Sequence, residues 1–97
     1  MSQKVVYNSS WGIYHIPELV LRRYCELAGV VYNPYESYTD GITRHDKNLV
    51  QAFEEYIETD PETDIRIREI KGNKYIINEY DGWETVFEPH EIEWITI

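Results

Sequence analysis

At 97 residues and a formal net charge of −9, the chain is long enough for one compact domain, residues 1–97, and too short for two. The charge disfavours direct binding to nucleic-acid phosphates or anionic membranes. A single cysteine, Cys25, excludes an internal disulfide, and no apolar run approaches the roughly 18 residues of a membrane span.

The amino terminus lacks the basic and apolar regions of a signal peptide, so a soluble protein of a reducing cytosol is expected. Residues 1–53 hold five acids and five bases, which puts the whole acidic excess in residues 54–97. That half reads as a solubilising surface or as a polyanion mimic that occupies a basic partner. Nine Tyr, three Trp and two Phe are an efficient way to bury area in a small fold, so most of these rings read as core and rim packing.

In chain order, residues 4–8 form a short β-branched and aromatic run, expected as a strand within the sheet. A connection containing Gly12 leads to Pro17, which suits the first turn of a helix running to about Ala28. Leu19, Val20, Tyr24, Leu27 and Ala28 make its apolar stripe, widened by Leu21 and Cys25. Gly29 stands where a left-handed carboxyl cap is wanted. Residues 30–32 read as a short strand or as the start of a loop, and residues 33–41 as an ordered loop with exposed tyrosine rings.

Thr43 and Asp46 fit a variant capping box with Thr43 as the cap, and Asp46 is itself an alternative cap. The helix that follows places Leu49, Val50, Phe53, Tyr56 and Ile57 on one face and ends near Pro61. Ile65 and Ile67 alternate with Arg66 and Arg68 in a half-buried strand through Ile70. Residues 75–87 then read as a β-hairpin about Asp81 and Gly82, a pair suited to a type I′ turn in which both central residues have positive φ. Counting outward, Tyr80 faces Trp83, Glu79 faces Glu84 and Asn78 faces Thr85; the opposed carboxylates suit a solvated face, or a cation that relieves them. Residues 88–91 read as a turn or edge because of Pro89, and residues 92–96 as a last strand or a short helix. The expected fold is α+β, with two helices packed on one face of a largely antiparallel sheet of four or five strands.

Catalytic signals are weak. His15, His45 and His90 lack the close spacing that organises a metal, so neither a metal nor a cofactor is expected. Cys25 falls mid-helix on the apolar flank, away from the electropositive setting a nucleophile needs. A binding site is easier to motivate where the loop 8–14 meets the amino end of the first helix, whose free N–H groups favour an anion or a polar ligand. Trp11 and Tyr14 would stack a flat ring there or pack over the sheet, and Arg44 would hold phosphate or pair with Asp46 or Glu54.

Three segments together resemble a family of small uncharacterised proteins encoded by bacteriophages and other large DNA viruses. After a valine-rich strand, the family carries an Asn-x-x-aromatic-Gly-Gly-Phe loop, matched here by Asn8, Trp11 and Gly12, with Ile13 in place of the second glycine and Tyr14 in place of the phenylalanine. Its Arg-x-Asp-x-x-Leu-Val helix start is matched by Arg44, Asp46, Leu49 and Val50. Its Tyr-Asp-Gly and Glu-x-His elements are matched by Tyr80, Asp81, Gly82, Glu88 and His90, while Glu91 departs from the basic residue that often follows.

The resemblance implies a viral origin and hence the host cytoplasm. By analogy with nucleotide sponges, it suggests a non-enzymatic homo-oligomer that sequesters a nucleotide-derived signalling molecule of antiviral defence. Asn8, Trp11, Gly12, Tyr14, Arg44, Asp46 and Tyr80 would form the site, and Tyr32, Tyr35, Tyr38 and Trp94 would contribute to self-association. The alternatives are an acidic viral protein that blocks a host protein and a small enzyme acting on a nucleotide.

Overall fold

The computed structural model describes residues 3–39 and 41–91. It is a small α+β fold in which two helices pack against antiparallel strands, with the order β1 (Gln3–Asn8), α1 (Glu18–Ala28), α2 (Lys47–Thr59), β2 (Ile65–Ile70), β3 (Ile76–Tyr80) and β4 (Trp83–Phe87). The strands pair antiparallel as two ladders, β1 with β2 and β3 with β4. A short 3-10 turn, Pro89–Glu91, follows β4. The last strand expected at residues 92–96 lies outside the described residues, as does Trp94.

Strand alternation divides β1 between two cores. Val6 joins Ile65, Tyr14, Ile16, Val20, Leu49, Val50 and Phe53 beneath the helices, while Val5 joins Ile70 and Val86 on the hairpin side. Successive side chains of a strand point to opposite faces, so a run of two valines serves both. In α1, Val20 and Cys25 are buried but Leu19 is largely exposed, so the stripe is narrower than its apolar residues suggest. Gly29 takes the left-handed cap conformation at φ 72°. Asp46, and not Thr43, is the cap of α2: its side chain accepts from the N–H groups of Asn48 and Leu49.

Residues 30–32 form no strand. In the loop beyond, Tyr32 and Tyr38 stack on each other with centroids 6.0 Å apart, and Arg22 lies over Tyr32. Of the three tyrosines, only Tyr35 stands fully in solvent.

Candidate functional site

The hairpin turn is the centre of the arrangement. Asp81 and Gly82 both have positive φ, 51° and 87°, as the turn type requires, and the register matches the count from the sequence, with Tyr80 opposite Trp83 and Glu79 opposite Glu84. Gly82 is needed for a second reason. A Cβ there would lie 1.3 Å from the carbonyl oxygen of Gly12, so the turn and the loop 8–14 touch backbone to backbone. The Gly12 N–H donates to the Asp81 carbonyl at 3.2 Å and closes the contact.

Asn8 locks this junction. Its Nδ2 donates to the carbonyl of Gly82 at 2.9 Å and lies within bonding distance of those of Ser10 and Gly12, and its backbone N–H donates to Glu84 Oε1 at 2.9 Å. An amide nitrogen has only two hydrogens, so three carbonyls saturate it.

Arg44 completes the structure from the other side. Nη1 and Nη2 donate to Glu84 Oε1 and Oε2 at 2.7 and 2.9 Å, a bidentate pair whose carboxylate side chain is only 8% exposed. The guanidinium also lies 3.4 Å from the centroid of the Tyr14 ring. Stacking on an aromatic face and forked pairing with a carboxylate are two contacts a planar guanidinium makes at once and an ammonium does not. The Val6 N–H donates to the Arg44 carbonyl at 2.8 Å, so Arg44 and Glu84 between them satisfy the Val6 and Asn8 N–H groups of β1.

These contacts revise several expectations. Glu84 is not on a solvated face; the cation that relieves it is Arg44, while Glu79 turns one oxygen to the Gly82 N–H. Arg44 pairs with neither Asp46 nor Glu54. Tyr14 is buried beneath the guanidinium, its hydroxyl has no hydrogen-bond partner, and burial pushes its pKa to about 12, so the phenol is neutral. It offers no open face for a ligand ring.

Trp11 does stay in solvent, edge-on to Tyr80 at 5.8 Å and to Trp83 at 5.2 Å. Edge-to-face rings at such spacing attract one another beyond simple area burial. The structure therefore brings Asn8, Trp11, Gly12, Tyr14, Arg44 and Tyr80 to one place, whereas the Asp46 carboxylate faces the first turn of α2. Glu84 and Gly82 belong to the same junction and were missed as members of it. For Glu84 the hint in the sequence was its like-charge pairing with Glu79, and for Gly82 its place in the Asp-Gly turn.

A second polar cluster lies beyond β4. Ligand atoms of Glu88, His90 and Glu91 fall within 4.8 Å of one another, but Arg68 donates to both carboxylates, and Glu88 also accepts from the Lys71 N–H at 2.8 Å. Arg68 is thus the cation that these two carboxylates face. A backbone bond from Glu88, and then Arg68, hold the Glu91 carboxyl below its ordinary value.

In comparisons with known proteins, no family model, curated protein or solved structure matches this chain. No helix among the described residues is long and apolar enough to cross a membrane.

Proposed function

We propose that the protein works by binding and not by catalysis, and that its working surface is the ring cluster of Trp11, Tyr80 and Trp83, which takes an arginine- or lysine-bearing surface of a protein partner. One observation carries this reading. The groups at the junction that would grip a small polyanion, Arg44 and Asn8 above all, are engaged internally, whereas the three rings are held in solvent at 61, 72 and 42% exposure. Glu79 and Asp81 adjoin Tyr80 in sequence and are exposed. Aromatic faces attract guanidinium and ammonium groups, neighbouring carboxylates add to that attraction, and tryptophan and tyrosine are the residues that most often dominate interfaces. In the setting implied by the sequence resemblance, the protein is a viral product that blocks a basic protein in the host cytoplasm.

Sequestration of a nucleotide-derived signalling molecule is the second reading. Its support is a hollow of about 280 Å³ lined by Ile13, Tyr14, Thr39, Arg44, Glu79, Gly82 and Glu84, where the three resembling segments converge. A phosphate there would have to displace Glu84 from Arg44. The geometry favours a protein partner for that reason.

The test sets both against each other. Immobilised parent protein should retain a basic protein from a bacterial lysate, with retention falling as salt rises, and the Trp11→Ala/Trp83→Ala variant should lose it. Calorimetry against linear and cyclic nucleotides should show no binding that Thr39→Ala weakens; saturable binding that Thr39→Ala does weaken would replace this reading with sequestration. Self-association, expected through Tyr32, Tyr35, Tyr38 and Trp94, is checked by light scattering: a mass above that of one chain supports it and a monomer mass counts against it.

A further inference from the structure

The bases of this acidic chain are unevenly occupied. Among the described residues, carboxylates pair with Lys4, Arg22, Arg23, Arg44 and Arg68, and Arg66 turns onto the carbonyls of Thr63 and Ile65. Lys47, Lys71 and Lys74 have no such partner there. Two of these three border cavities that share His45 as a common wall. The larger, about 610 Å³, is lined by Lys74 and Asn73 together with Tyr75, Ile76 and Phe87, and an adjoining one of about 390 Å³ includes Lys47.

The chain separates two neighbouring residues to make this place. Arg44 goes to the Glu84 junction, while His45 goes to Tyr75, with its Nδ1 2.8 Å from the hydroxyl and the two rings edge-to-face at 5.7 Å. Burial holds the Tyr75 phenol above its ordinary value against the opposing effect of Arg44, so it stays neutral and bonded to the imidazole. The other imidazole nitrogen has no partner among the described residues. Ile76 and Phe87 are cross-strand partners and share one face of the hairpin, and Ile76 remains half exposed.

Small-molecule sites have volumes of about 300–1,000 Å³ and combine apolar walls with a few converging polar groups. This groove has that make-up, with cationic and amide groups, those of Lys74 and Asn73, that no other group among the described residues engages. We infer that it binds a small aromatic anion, a flat ring carrying a phosphate, sulfonate or carboxylate, with the ring on Ile76 and Phe87 and the anionic group toward Lys74, Asn73 and His45. The ammonium supplies the charge and the amide supplies a directional donor, so the anion is both attracted and oriented. The inference concerns a different surface from the ring cluster and stands whether or not that cluster binds a protein.

The probe is anilinonaphthalene sulfonate, followed by its emission on titration with the folded protein. Saturable binding should weaken about tenfold, the equivalent of one lost charged contact, in Lys74→Glu and in Ile76→Glu, and stay unchanged in Trp11→Ala. Both groove positions are exposed, so circular dichroism melts should match the parent; should Ile76→Glu fail to fold, Lys74→Glu decides alone. Displacement of the dye by adenosine monophosphate would support the inference and name a nucleotide as the ligand. Displacement only by naphthalene sulfonate or benzoate would support it with a non-nucleotide anion. Absence of saturable binding, displacement by none of these anions, or a loss in Trp11→Ala equal to that in the groove variants would overturn it.

Discussion

The helices reach the β1–β2 ladder through Phe53, Leu49, Val20 and their apolar neighbours, whereas the hairpin turn reaches the same ladder through an amide, a guanidinium and a carboxylate. The first contact is non-directional: it depends on area and volume, and side chains of similar size can replace one another at modest cost. The second depends on angle and distance. Each of its groups is buried only because another group is in place, so losing one leaves its partner without water or protein to bond. The helical layer should therefore fail gradually under substitution and the junction abruptly.

The largest expected effect comes from Glu84→Ala. It leaves Arg44 and the Asn8 N–H unpaired and should cost about 3–5 kcal/mol by urea unfolding. Arg44→Ala should cost a comparable amount, and the double variant much less than the sum, because the second removal relieves the charge orphaned by the first. Additive losses would show that the pair is not a unit. A loss of about 1 kcal/mol or less in Arg44→Ala would instead mark the pair as no stronger than an exposed one.

Gly82→Ala should follow, at about 3 kcal/mol, since its Cβ overlaps the Gly12 carbonyl and the residue keeps positive φ. Gly12→Ala separates those two causes: φ there is 120°, but nothing lies within 4 Å of an added Cβ, so only backbone strain of about 1–2 kcal/mol should appear. Equal losses at the two glycines would mean that the backbone contact does not matter.

On the helical side, Asp46→Ala removes the acceptor for two N–H groups and should cost only about 1 kcal/mol, with Asp46→Asn nearly neutral. The unfolding midpoint should tell it apart from any junction variant.

Acid should bring the smallest change. The Arg23 contact with Glu55, and the Glu88 backbone and Arg68 contacts with Glu91, hold these carboxyls below the ordinary 4.5. A lowered folded value means that their contribution is complete above the unfolded pKa and is lost as pH falls through the folded one. The urea midpoint should accordingly begin to fall below about pH 4.5, with less of a fall in Glu55→Gln. A midpoint that rises on acidification would reverse the sign of this linkage. At the alkaline end, absorbance should find one phenol, that of Tyr14, ionising only at about 12.

Which parts were legible in the sequence follows from the range of the forces involved. The Asp81 and Gly82 turn, the register of β3 with β4 and the Gly29 cap are consequences of φ preference and periodicity within a few residues, and they stand as read; on α2, Leu49, Val50 and Phe53 are buried as read, Ala52 joins them, and Tyr56 and Ile57 are only half-buried. Leu19 was misplaced because a helix stripe has a width that only the neighbouring layer sets. The convergence of loop 8–14, Arg44 and Tyr80 came from the resemblance and not from periodicity.

By itself, the sequence determined the two helices, the hairpin with its register and the Gly29 cap, because each of these is decided by dihedral preference and by side chains close along the chain. Only the tertiary structure decided that Arg44 meets Glu84 across 40 residues, that the Asn8 N–H meets Glu84 across 76, and that the Arg44 guanidinium roofs a buried Tyr14. In an acidic chain with eighteen carboxylates, an arginine has many candidate partners of nearly equal local merit. The choice among them is made by which carboxylate the folded backbone carries into the part-buried gap beside β1, where a bidentate charge-assisted pair is stronger than at an open surface.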